Sequence, residues 1–130
     1  MNGRDRVSAY IESHSEQYGN GKPIFEILVF EEPCKEYMFE RNGELIPSGY
    51  PEIGDNRMGY YHELDTAIQA MNENWADIQE HCFHAGFVLC HFPGLYNDVG
   101  PWGRIYFLWD EERMGFFEAD EPPLFAHLAL

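Results

Sequence analysis

Leu64, Ile68, Met71, Trp75, Ile78 and Cys82 recur every three or four positions, a spacing that lays one apolar stripe along an α-helix. The pattern predicts a helix from about Glu63 to Cys82, packed by that stripe against a sheet. Val7, Tyr10, Ile11, His14 and Tyr18 repeat the spacing and predict an N-terminal helix over 4–18, stopped by Gly19-Asn20-Gly21. "PIFEILVFEE" is apolar on both faces except at Glu26, which predicts a central strand covered on both sides. Asn42-Gly43, between "EYMFER" and "ELIP", is a two-residue hairpin signal. "GFVLCHF" reads as a strand, and "RIYFLWDEERMGFFEAD" as a hairpin with an acidic turn. Asp120 is placed to cap a short C-terminal helix through "PPLFAHLAL". The segment 47–59, "PSGYPEIGDNRMG", has no period and reads as a long loop.

These elements run helix, strands, helix, strands, helix, with hairpins outnumbering crossovers. The expectation is a single α+β domain over 1–130. Its mainly antiparallel sheet of about five to six strands carries one long amphipathic helix on a face and shorter helices at either terminus. No internal repeat or linker divides the chain.

Charge then narrows the partners. Twenty-three acidic residues against eight basic ones give −15, and residues 42–130 hold fifteen of the acids and three of the bases. From Met58 to Gly103 there is no Lys or Arg. Direct nucleic-acid binding is disfavoured because it needs a cationic footprint, and anionic membranes are disfavoured for the same reason. No apolar run approaches the ~18 residues of a membrane span, and "MNGRDRVSAY" has no apolar core of a secretory signal. Three cysteines without framework spacing suit a reducing compartment, so a cytoplasmic location is expected. A monomer or small homo-oligomer without a cofactor fits this picture.

The densest chemistry is "EHCFHAGFVLCH", residues 80–91. Cys82 falls on the apolar stripe, where cysteine acts as a small hydrophobe. Strand alternation sends Phe87, Leu89 and His91 to one face and Val88, Cys90 and Phe92 to the other. Cys90 and His91 therefore cannot share one ion. His81 and His84 lack the paired spacing of a structural zinc site, and "HELDT" has Thr66 where a zincin helix needs its second His. The stretch reads as core with flanking imidazoles. The competing reading is a metal- or small-ligand-binding domain using His81, His84, Cys90 and His91.

Two features point to binding. Glu73, Asp77 and Glu80 follow i, i+4, i+7 spacing opposite the apolar stripe, with no basic residue nearby to offset their repulsion. Tyr50, Tyr60, Tyr61, Tyr96 and Trp102 fall in irregular segments, where such rings often anchor interfaces. Asp110, Glu111 and Glu112 read as a separate solvated turn, remote from 73–80. The expected function is a small interaction protein, not an enzyme. It would bind a basic protein partner through Glu73, Asp77, Glu80, Tyr61 and Trp102, as inhibitor, immunity or nucleic-acid-mimic proteins do.

Overall fold

A computed structural model describes residues 2–18, 22–30, 38–47, 56–81, 83–92, 100–122 and 125. Helix α1 spans Gly3–Tyr18 and helix α2 Leu64–Asn72. Strands β1 (Ile24–Phe30), β4 (Arg57–Tyr61), β5 (Ala85–His91), β6 (Arg104–Asp110) and β7 (Gly115–Glu118) form one sheet in the order β4-β1-β5-β6-β7. Strands β2 (Met38–Arg41) and β3 (Glu44–Pro47) make a separate hairpin. Every pairing is antiparallel. The α+β class with an antiparallel sheet is as the pattern predicts.

The local reasons are equally plain. Asn42 and Gly43 both take positive φ, 54° and 83°, the conformation a two-residue turn demands. Asn2 begins α1 by accepting a 2.8 Å bond from the Asp5 amide, while Glu118 reaches from β7 to accept the Gly3 amide at 2.8 Å. Strand β1 is central, and Phe25 through Phe30 are all buried. Phe25, Ile27, Val29, Val88, Cys90, Ile105 and Phe107 face the helices, meeting Val7, Ala67, Ala70 and Met71. Leu28, Phe30, Phe87, Leu89 and Tyr106 form the other face around Phe125. The alternation assigned to β5 therefore holds.

Two expectations fail. The helix predicted over 63–82 ends at Asn72, and single 3₁₀ turns at Trp75–Asp77 and Gln79–His81 follow it. The long helix of the fold is α1. Chain closure explains the break. Gly115 lies against the Asn72 carbonyl and pairs with Asp110, beyond the Ala85–Leu108 pair. By Asn72, then, α2 has reached the end of the sheet where β5 begins. Ten more helical residues would travel about 15 Å past it, and the chain from Cys82 to Ala85 can return only about 10 Å. Asn74 makes the turn in the left-handed region at φ 53°, ψ 47°, which asparagine tolerates. Its side chain accepts the Gln79 amide at 3.0 Å and donates to Glu80 at 3.1 Å. Ile78 still reaches the core at 1% exposure, so the apolar spacing survives although the helix does not.

The second failure is β4, which occupies the end of the segment read as loop 47–59. Its exposure alternates poorly because a register shift against β1 falls between Glu26 and Leu28. Residues 48–55 of that loop, Cys34, Tyr50, Cys82, Tyr96 and most of the expected C-terminal helix lie outside the described residues.

Candidate functional site

Strand register sets where the candidate residues stand. Residues 73–80 follow α2 and lead into β5, at the end of the sheet marked by Ala85. The β6–β7 turn, Glu111–Met114, projects from the same end, because Asp110 and Gly115 lie beyond the Ala85–Leu108 pair. This corrects the reading of the turn as remote from 73–80. Glu73, Asp77, Glu80, Glu111 and Glu112 are all exposed there, joined by Met114 at 61% exposure.

Glu73, Asp77 and Glu80 do not form a helix face. Glu73 caps the C-terminus of α2, Asp77 sits at φ 52°, and Glu80 is held by Asn74. Their i, i+4, i+7 spacing thus gives no common stripe, since the intervening backbone is not helical. What they share is the end of the sheet.

The turn itself is firmly built. Asp110 Oδ1 accepts the amides of Glu112 and Arg113 at 3.0 and 3.1 Å, and Oδ2 accepts Arg113 Nε at 2.7 Å. The side-chain bond from Arg113, helped by these amides, holds the Asp110 carboxyl below its ordinary range. The Arg113 guanidinium lies 3.7 Å from the centroid of Phe117. Arg113 is accordingly committed within the turn.

Other arginines are also bonded within the chain. Arg4 pairs with Asp65 at 2.6 Å, and Arg6 donates to the carbonyls of Pro101 and Arg104. Arg104, fully buried, donates to both oxygens of Glu121 at 2.7 Å and to the Phe125 carbonyl at 2.9 Å. Arg57 donates to Glu26, whose side chain is only 6% exposed, and the same oxygen lies 3.1 Å from Nε2 of His91. With its own sequence in view, this trio was signalled by one carboxylate in an apolar strand, which must find a partner. Its partner Arg57 lay hidden in the segment read as loop.

The chain is similar to no protein-family model, no curated protein and no solved structure. Its own geometry must carry the assignment.

The remaining candidates are dispersed. Trp102 is 61% exposed in the turn Pro101–Gly103, next to the start of β6 and so at the opposite end of the sheet from 73–80. Tyr61 is half-buried, its ring 6.0 Å from that of Trp75. His84 precedes β5 and His91 ends it, about 20 Å apart along the strand. Cys90 faces the helices, away from His91. The side chain of His81 lies outside the described residues. The structure therefore does not bring His84, Cys90 and His91 together. Among the described residues, no group of three His, Cys, Asp or Glu is placed to hold a metal ion. No described helix is long and apolar enough to cross a membrane.

Burial pushes the Cys90 thiol up to about 12, and only the thiolate is a strong nucleophile. Iodoacetamide at about pH 8 should leave the Cys90 peptide unlabelled in the folded protein and label it fully in denaturant. Mass spectrometry reads both. Similar labelling in the two states would place Cys90 at an open surface.

Proposed function

We propose that this protein binds a basic protein partner, presenting the end of the sheet formed by residues 73–80 and the β6–β7 turn. One observation carries the reading. Five exposed carboxylates from two separated segments share that end, while Arg113, the cation beside them, is engaged by Asp110 and Phe117. Like charges on neighbouring segments repel, so an array without cations contributes nothing evident to folding. A partner rich in Lys or Arg would find a matching potential, which speeds encounter and disfavours wrong partners. Such a role is that of a binding protein of inhibitor, immunity or nucleic-acid-mimic type and requires no catalysis.

Of the two aromatic candidates, Tyr61 is better suited to supporting Trp75 than to anchoring a partner. Trp102 can join the same interface only if the partner spans about 20 Å of sheet. The test begins with capture from native host lysate at low salt and release at high salt. Glu73, Asp77 and Glu80 are then changed to Gln, with Glu111 and Glu112 as a second set. Each set should leave folding intact and lower the association rate severalfold. Asp5 and Glu12, exposed on α1, serve as the control, and Gln there should change the rate little. Equal effects from all three sets would leave only general charge and overturn the proposed end. Capture of no basic protein at low salt would overturn the reading itself.

A further inference from the structure

A cavity of about 480 Å³ opens between α1 and the start of α2, at the end of the sheet away from the acidic array. Ile11, Phe25 and Leu64 make its apolar floor, and Arg4, Lys22 and His62 stand on its rim. Its size lies within the range of small-molecule sites. Arg4 is already paired with Asp65. That leaves Lys22 and His62 to set the rim potential against Glu63. The Glu63 carboxylate makes no capping bond to α2, although Glu63 is its N-cap residue. The first N–H groups of α2 are therefore not satisfied by that side chain, and they add positive potential. The rest of the molecule is strongly negative, but at physiological salt charges beyond about 8 Å are largely screened. Local groups decide what can enter.

We propose that this cavity binds a small organic monocarboxylate, its apolar body on Ile11, Phe25 and Leu64 and its carboxylate beside Lys22. Apolar floor and cationic rim are both required by that assignment. A bare inorganic anion would use only the rim, and an uncharged amphiphile only the floor. The site is independent of the acidic end, and either can fail without the other.

Hexanoate, hexanol and inorganic phosphate separate the possibilities when titrated into ¹⁵N-labelled protein. Hexanoate should shift the amides of Ile11, Leu64, Asp65 and Thr66 saturably, while hexanol and phosphate leave them nearly unmoved. Lys22→Gln should weaken hexanoate by about fivefold, the effect of roughly 1 kcal/mol. Ser8 is exposed on α1 and lines the cavity, so Ser8→Trp should fill it and abolish the shifts without disturbing the core. The amide spectrum of that variant reports whether it is folded. No saturable shift with hexanoate, an equal response to hexanol or phosphate, or binding unchanged in folded Ser8→Trp would each overturn the proposal.

Discussion

Arg104→Ala should cost about 3–5 kcal/mol of stability, the range for breaking a buried ion pair by removing one partner. Arg104 is 0% exposed, on the sheet face opposite the helices. Its guanidinium lies 5.2 Å from the Phe87 centroid, and it ties β6 to Glu121 and to the carbonyl of Phe125. Alanine would leave a cavity beneath that carbonyl and a carboxylate, Glu121, with its partner gone. The pair is nonetheless not a requirement for stability as such. Arg104→Met with Glu121→Leu should recover most of the loss, because a well-packed apolar pair avoids the desolvation of two charges. Urea melts of the single and double variants check both. A single-variant loss below about 1 kcal/mol would mean that the guanidinium reaches water and the second face is open.

Gly115→Ala is the second large effect expected. A Cβ there would stand 1.9 Å from the Asn72 carbonyl oxygen and 2.8 Å from its carbon. Both are backbone atoms, so no rotamer change relieves the clash. Either the β6–β7 turn or the end of α2 must move, at about 3 kcal/mol, the upper part of the usual range for overpacking. The displaced turn should also weaken partner binding, although net charge is unchanged. Gly43→Ala is the informative comparison, since Gly43 has φ 83° but nothing within 4 Å of the added carbon. It should cost only the roughly 1–2 kcal/mol of left-handed backbone. If Gly115→Ala were neutral, α2 and the turn would not meet, and the acidic residues would not belong to one end.

That contact also shows where reading the sequence stopped. Period-two and turn chemistry reported β1, β5, the Asn42-Gly43 hairpin and the β6–β7 hairpin, because each is decided by residues adjacent in the chain. The helix over 63–82 was overextended because apolar spacing at three and four is kept by 3₁₀ turns as well as by an α-helix. The length of the sheet, which forces the break at Asn74, is written in no local pattern. Strand β4 was missed because it is a short edge strand with a register shift, and edges need not alternate. The acidic residues were legible as an excess of charge, but their grouping was not. Spacing along 73–80 suggested a helix face, whereas the actual neighbour is a hairpin turn about 30 residues away, placed by strand register. Glu26 and Arg104 announced the need for partners without saying which residues would supply them.

The account rests most heavily on that shared end. Its most direct test is amide hydrogen exchange on the protein alone and bound to the basic protein captured from the lysate. Protection is expected across 73–80 and 111–114 together, with the amides near Trp102 and along α1 unchanged. Protection confined to 101–103 or to β4, with 73–80 and 111–114 exchanging as in the free protein, would contradict it.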